Sequence, residues 1–142
     1  MEQSGGVKVF ARYVVGAVLW VMVSGGIEAA DVVRPGAFMV DPPTLRCLGF
    51  RWYIDGDDDG DAAVAVTFRR VGEAGWRNGL PMLRVNREVV NRDHGLYTTG
   101  NLFAGSLLYL EPDTEYEVRF RLTDPDGESA EQEVKVRTRP VP

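Results

Sequence analysis

The stretch that most constrains the fold lies at residues 110–122. In its second half, apolar residues occupy every second position and charged residues occupy the others: Tyr116, Val118, Phe120 and Leu122 alternate with Glu115, Glu117, Arg119 and Arg121. A period of two is typical of a β-strand with one buried and one solvent-facing side. We therefore expect Glu115 and Glu117 to face solvent as ordinary acids rather than to form a catalytic carboxylate pair.

A turn is predicted immediately before this strand, at Pro112, Asp113 and Thr114. Proline fixes φ, and the two polar side chains can hydrogen-bond to nearby backbone. A tyrosine that begins a strand after such a turn, here Tyr116, can bury its ring and direct its hydroxyl to backbone upstream. This arrangement is the tyrosine corner of immunoglobulin-like sandwiches.

Residues 1–30 predict a secretory signal peptide rather than a part of the fold. Basic residues precede an uncharged apolar run at residues 13–23, and small residues follow it. The run is shorter than the roughly 20 residues that a membrane span requires. Cleavage is expected near Ala29, with Gly25 or Gly26 as alternative positions. An uncleaved membrane anchor and a buried strand are the alternative interpretations of the run.

Residues 31–138 predict an all-β sandwich of about seven short strands, with no helical periodicity. The predicted strands cover residues 37–40, 44–54, 62–70, 103–110, 115–122 and 131–137, together with an edge strand that begins at Trp76. We expect a turn or linker at residues 34–36. Residues 83–101 predict a long connection that could include a short extra strand at 88–90, and residues 139–142 predict the start of a linker.

The predicted core is centred on Trp52. This residue lies in the middle of an early strand, where a large side chain suits the space between two sheets. Trp52 and Phe68 are the expected partners, across the core, of the stretch at residues 110–122. Cys47 falls on the opposite face near the start of the same strand, and we expect an unpaired, half-buried thiol there.

An acidic turn at residues 55–61 is the sharpest candidate for a metal site. Asp55, Asp57 and Asp59 recur at alternate positions before Gly60, as in the first half of an EF-hand calcium loop. The second half is missing, because Val66 stands where a bidentate glutamate should close the loop. Two interpretations stay open: a calcium site with an incomplete shell, and an ordinary turn in which Asp and Gly are common anyway. No other cofactor is predicted.

Composition and motifs argue against catalysis and against nucleic-acid binding. A formal net charge of -5 disfavours contact with phosphate backbones, and the single cysteine excludes an internal disulfide. His94, beside Asp93, lacks a nucleophile held against it, and no elbow motif surrounds Ser106 or Ser129. We therefore expect that the chain is not an enzyme.

Aromatic residues outside the predicted core offer an alternative function, which is carbohydrate binding. Tyr53, Tyr97 and Tyr109 fall on solvent-facing positions or in loops, and Trp76 could be half exposed. Aromatic rings of this kind can contact sugars, although singly exposed aromatic residues are also common on proteins without any ligand.

Several of these features together resemble a fibronectin type III-like domain. The residues that carry the resemblance are Trp52, the Val-Ala-Val-Thr-Phe-Arg run at 64–69 with Trp76 after a glycine turn, and Leu-Glu-Pro-Asp-Thr-Glu-Tyr at 110–116. The resemblance covers residues 33–138. It implies an immunoglobulin-like sandwich and supplies no active site.

A narrower resemblance is to the N-terminal module of large exported bacterial proteins, where it precedes a right-handed parallel β-helix that acts on polysaccharides. It rests on residues 44–52, 103–106 and 122–127. A more distant resemblance is to the N-terminal domain of purple acid phosphatases.

These resemblances imply a non-catalytic accessory, spacer or interaction module that is secreted, periplasmic or on the cell surface. The expected partner is a neighbouring domain of the same polypeptide. The narrower resemblance leaves two alternatives, a fragment of a polysaccharide-active β-helix enzyme and a module whose catalytic neighbour has been lost. A glycan or protein ligand is the alternative. Membrane contact is expected only through an uncleaved signal.

Overall fold

The computed structural model describes residues 31–93, 95–127 and 129–142, apart from the side chain of Arg92. The predicted signal peptide at residues 1–30 lies outside the described residues. Within the described part, no helix is long and apolar enough to cross a membrane. The ten strands found there are β1 Arg34–Val40, β2 Leu48–Asp55, β3 Ala63–Arg70, β4 Arg77–Asn78, β5 Leu83–Asn86, β6 Val89–Arg92, β7 Gly95–Thr98, β8 Asn101–Leu107, β9 Glu115–Thr123 and β10 Ala130–Arg137.

Two four-stranded antiparallel sheets form the body of the molecule. Their strand orders are β1-β2-β8-β5 and β10-β9-β3-β4, and β6 pairs only with β7 as a separate hairpin. Without the two-residue β4 and the β6–β7 hairpin, seven strands remain. The first, second, fifth and fourth of these in chain order make one sheet, and the third, sixth and seventh make the other, as in an immunoglobulin-like sandwich. The predicted all-β sandwich is confirmed.

The core lies between the two sheets and is dominated by aromatic rings. Trp52 is fully buried, and Phe38 meets it edge-on with a ring-centroid distance of 5.7 Å. Phe120 of the opposite sheet lies 4.8 Å from the ring centroids of both Phe38 and Phe50. Phe68 is only partly buried and packs at the edge of the core, 6.3 Å from the Tyr116 ring. Each buried side chain of this size stabilises the fold by about 1.5–3 kcal/mol.

The tyrosine corner is present at the start of β9. The Tyr116 ring is buried, and its hydroxyl oxygen accepts a hydrogen bond from the backbone N–H of Glu111 at 2.9 Å. The hydroxyl of Thr114 donates to the carbonyl of Pro112 at 2.8 Å and closes the turn. Buried Thr138, just after β10, donates to the Glu111 carbonyl at 2.6 Å, so the turn is held from both sides.

The first strand is longer than predicted. It begins at Arg34 rather than residue 37, because β1 is an edge strand and tolerates Pro35 and Gly36. Its register with β2 shifts between Pro35 and Phe38, which marks a bulge.

The predicted long connection at residues 83–101 is instead built from short strands. β5 joins the edge of the first sheet, and β6 and β7 form the extra hairpin. These strands have four residues each, and those of β7 are exposed on both faces, so they lack the alternation of apolar and polar residues that predicts a half-buried strand. β8 also ends earlier than predicted, at Leu107, because Tyr109 adopts a φ of 57° and turns the chain.

Glu117 differs from the prediction, whereas its neighbour Glu115 is exposed as expected. Glu117 points to the outer face of its sheet but is buried there, since Arg69 donates to it at 2.6 Å and Lys135 lies 3.0 Å away. Hydrogen bonds from Lys135 and then Arg69 lower the pKa of this carboxyl below its usual value. Long side chains on both flanking strands therefore cover a position that alternation assigns to solvent.

Candidate functional site

Acidic side chains from two loops meet at one end of the sandwich. Asp57, Asp59 and Asp61 form one group, and Asp61 forms a second with Asp124 and Asp126; within each group, one carboxylate oxygen per residue lies within 4.8 Å of the others. We call these five residues the acidic cluster. The loop after β2 supplies three of them and the loop after β9 supplies two.

The structure changes the predicted calcium set. Asp59 and Asp57 belong to the acidic cluster, whereas Asp55 does not: it is the exposed last residue of β2 and pairs with Arg34 of β1. The predicted set does not include the other three members of the cluster, Asp61, Asp124 and Asp126. Asp124 and Asp126 follow a different strand, and only the pairing of β3 with β9 brings their loop to the same end.

Both carboxylate oxygens of Asp57 already accept hydrogen bonds from other groups of the protein. Its side chain is fully buried, one carboxylate oxygen accepts from the Ala62 N–H at 2.9 Å, and the other accepts from Nε of Arg84. Because Arg84 supplies the compensating charge, Asp57 holds the loop in place and has little capacity left for a cation.

The remaining acids of the cluster are crowded, and no ion pair with a basic side chain is found for them among the described residues. Burial, followed by the charge of Asp59, raises the pKa of both Asp61 and Asp126. Asp124 is buried and accepts hydrogen bonds from the N–H groups of Val33 at 2.6 Å and Asp126 at 3.0 Å. Several carboxylate oxygens at this spacing are the donor set that a calcium ion prefers.

An exposed apolar surface lies where the chain crosses from one sheet to the other. Its members are Leu80, Pro81, Leu83, Leu108 and Tyr109, and we call them the apolar patch. Leu80, Leu83 and Tyr109 are 69%, 74% and 91% exposed. A depression of about 530 Å³ runs between Leu80, Leu83 and Leu108, and a smaller one of about 290 Å³ joins Leu80 and Leu108 to Tyr109. Contiguous exposed apolar surface is one of the features by which interaction sites are recognised.

Tyr109 is held in an unfavourable backbone conformation. Its φ of 57° is left-handed, a region that costs a residue with a side chain about 1–2 kcal/mol. The next residue, Leu110, donates its N–H to the Arg46 carbonyl at 3.0 Å and is buried, which fixes the turn. The fold therefore presents an aromatic ring to solvent at the expense of local strain.

The other aromatic residues of the carbohydrate hypothesis lie apart from one another. Trp76 is half-buried, and the guanidinium groups of Arg69 and Arg119 lie 4.5 Å and 3.9 Å from the centre of its ring. Tyr97 is exposed on the β6–β7 hairpin, and Tyr53 is half-buried on β2. Trp76, Tyr97 and Tyr53 therefore belong to different elements of the fold.

Of the residues considered for catalysis, Ser106 and Ser129 are exposed on β8 and just before β10, and Asp93 is exposed in the hairpin turn. His94 lies outside the described residues. Cys47 is a free, half-buried thiol, as expected.

Some solved structures are similar to this chain at low sequence identity. Neither a protein-family model nor a curated protein matches the chain. Similar solved structures include a computer-based redesign of a β-sandwich protein, with 17% identity and a TM-score of 0.46 over 76% of this chain and 91% of that chain. The third fibronectin III domain of human KIAA0343 protein has 14% identity and a TM-score of 0.45 over 84% of this chain and 93% of that chain.

The class of protein follows from the strand order and the tyrosine corner. The chain carries an all-β, immunoglobulin-like sandwich of the fibronectin type III-like kind. A fold of this class hosts many functions, so the function must be argued from its surfaces.

Proposed function

We propose that the chain is a non-catalytic interaction and spacing module that docks a neighbouring domain through the apolar patch. The observation that carries the proposal is the exposed, strained Tyr109 beside Leu80, Leu83 and Leu108. Tyrosine is enriched among the residues that dominate binding energy at interfaces. Burying the patch removes apolar area from water at about 25 cal/mol per Å².

The partner we favour is another domain of the same polypeptide. The resemblance to the N-terminal module of exported bacterial β-helix proteins supports this choice, because in those proteins a polysaccharide-active domain follows the module. An exported location, either secreted, periplasmic or at the cell surface, belongs to the same proposal. The chain itself then performs no chemistry and positions its neighbour.

The experiment compares the 142-residue chain with the complete polypeptide that its gene encodes. We expect the ¹H–¹⁵N amide shifts of Leu80, Leu83, Leu108 and Tyr109 to differ between the two, while those of the opposite edge strand, β10, do not. Tyr109→Gly relieves the strained backbone and removes the anchor, so it should abolish these differences without unfolding the sandwich.

Two outcomes would overturn the proposal. One is a reading frame that adds no further domain to the sandwich. The other is a complete polypeptide in which the apolar patch keeps the amide shifts of the isolated chain.

A second candidate function is calcium binding by the acidic cluster, which would tie the loop after β2 to the loop after β9. The observation that favours it is the convergence of Asp59, Asp61, Asp124 and Asp126 from two loops. Isothermal titration of the chain with calcium tests this function. The absence of both heat and a change in melting temperature would contradict calcium binding by the acidic cluster.

A further inference from the structure

A cleft that contains several polar side chains lies at the other end of β5 and β8 from the apolar patch, where the β6–β7 hairpin meets the first sheet. Its volume is about 490 Å³, within the range of roughly 300–1,000 Å³ that small-ligand sites occupy. The side chains that line it and can contact a ligand are Tyr53, Asp55, Arg87, Thr98 and Asn101. They come from β2, the β5–β6 turn, β7 and β8, so the fold brings together groups that are distant in the sequence.

Asn101 in this cleft has a polar atom without a partner. Its side-chain Nδ2 donates to the carbonyl of Gly56 at 3.0 Å, and this bond fixes which end of the amide is the oxygen. The other end, Oδ1, is buried and accepts no hydrogen bond from any described residue. Leaving a buried acceptor unpaired costs about 1–3 kcal/mol, so a donor that reached Oδ1 after a local rearrangement of the cleft would stabilise this position.

Arg87 is held beside the cleft by the base of the hairpin. Its φ of 51° is left-handed, and its N–H donates to the Gly100 carbonyl at 3.1 Å. Thr99 bonds Glu88 twice, from its N–H to the carbonyl at 2.9 Å and from its hydroxyl to the carboxylate at 2.7 Å. The Arg87 guanidinium lies 3.6 Å from Asp58, beyond hydrogen-bond distance, and therefore keeps donors for a ligand.

Two glycines, Gly36 and Gly100, lie next to Tyr53. A side-chain carbon at Gly100 would lie 3.1 Å from its ring, and one at Gly36 would lie 3.0 Å from its carbonyl oxygen. Gly36 sits in the bulge of β1. The backbone at Gly36 and Gly100 therefore packs closely against Tyr53, and neither position adds a side chain there. A half-buried tyrosine thus stands among exposed polar groups with little side-chain cover from these two positions.

We propose that this cleft binds a neutral polysaccharide. A sugar ring presents hydroxyl groups that need both acceptors and donors, and the exposed side chains of Asp55 and Arg87 supply them. Its apolar face needs an aromatic surface, which Tyr53 supplies. The exposed carboxylate of Asp55, with Asp58 close by, disfavours an acidic sugar. None of the cleft residues belongs to the apolar patch, so a failure of the docking proposal would not affect the polysaccharide proposal.

The test is a ¹H–¹⁵N titration of the 142-residue chain with neutral hexasaccharides built from glucose, xylose or mannose. We expect at least one of them to produce saturable shifts at Tyr53, Arg87 and residues 98–101. Asp55→Asn, at an exposed position, should weaken that affinity about tenfold through loss of a charged acceptor, while Asp93→Asn in the hairpin turn should leave it unchanged.

Arg87→Gln should also weaken binding, whereas Tyr109→Ser, an aromatic loss on the other surface, should not. Three outcomes would overturn the inference: no saturable shifts with any neutral hexasaccharide, shifts that map to the apolar patch, or tighter binding of an otherwise matched uronic-acid oligosaccharide. Because Asp55→Asn and Arg87→Gln change exposed side chains, the test does not depend on a variant that fails to fold.

Discussion

The fully buried carboxylate of Asp57 is neutralised by the guanidinium of Arg84, which reaches it from β5. The same guanidinium donates to the carbonyl of Asp57 at 3.3 Å and to that of Val85 at 2.7 Å. Arg84 therefore connects the edge of the first sheet to the loop that carries the acidic cluster. Asp57 also has a left-handed φ of 58°, which Asp and Asn tolerate better than most residues.

Arg84→Met should destabilise the fold by about 3–5 kcal/mol, because it leaves a buried carboxylate without its compensating charge. Chemical denaturation with urea measures the change. Adding Asp57→Asn to Arg84→Met should recover part of the loss, since no charge is then buried. Arg121→Met is the matched control: the Arg121–Glu131 pair is exposed, and it should cost less than about 1 kcal/mol. Equal losses in Arg84→Met and Arg121→Met would contradict the role of the buried pair.

The tyrosine corner makes a separate prediction. Tyr116→Phe keeps the buried ring but removes the acceptor for the Glu111 N–H, and it should lower the free energy of unfolding by about 1 kcal/mol. Tyr109→Phe is the control, because the Tyr109 ring is almost entirely in solvent and its loss of a hydroxyl should change stability very little. A Tyr116→Phe protein as stable as the parent in urea would show that this hydrogen bond contributes nothing net.

The sequence predicts the sandwich well because the deciding signals are local. The alternation in β9 and the turn chemistry before Tyr116 each depend on neighbours within a few residues. β5 and β7 escape prediction, and β6 only overlaps the short strand expected at residues 88–90, because short edge strands have no buried face to impose alternation. Their position is set by pairing with β8 and with each other.

The candidate sites depend on contacts that are distant in the sequence, so they are only partly predictable. The spacing of Asp57 and Asp59 indicates an acidic loop, but it contains no information about Asp124 or Arg84, which other strands deliver. The burial of Glu117 likewise depends on residues that are distant in the sequence. Alternation gives the direction of its side chain, whereas its burial depends on Arg69 and Lys135 across two strand pairings.

Glu117 predicts a dependence of stability on pH. Its carboxyl is hydrogen-bonded by Lys135 and Arg69, and its pKa in the folded chain lies below the ordinary value of 4.5. The folded state therefore binds this proton less readily than the unfolded state. The resulting stabilisation is fully present above pH 4.5 and is lost as the pH falls through the lowered pKa.

Thermal melts of Glu117→Gln and the parent measure this effect. The melting temperature of the variant should be lower at pH 7, and the difference should shrink at pH values well below 4.5. Glu115→Gln, at an exposed position on the same strand, should change the melting temperature little at neutral pH. A difference between Glu117→Gln and the parent that stays constant down to pH 3 would refute the assignment.

The acidic cluster predicts opposite effects of one substitution with and without calcium. In a chelator, Asp126→Asn should raise the melting temperature, because it removes one charge from a crowded group of carboxylates whose repulsion the protein does not compensate. In calcium, the parent should gain stability, by about 2.7 kcal/mol when the free ion is at 100 times its Kd, and Asp126→Asn should gain much less. Asp93→Asn, outside the cluster, should match the parent in both conditions. If calcium leaves the melting temperature of the parent unchanged while Asp126→Asn is still stabilised in chelator, the cluster is a site of charge repulsion and not a calcium site.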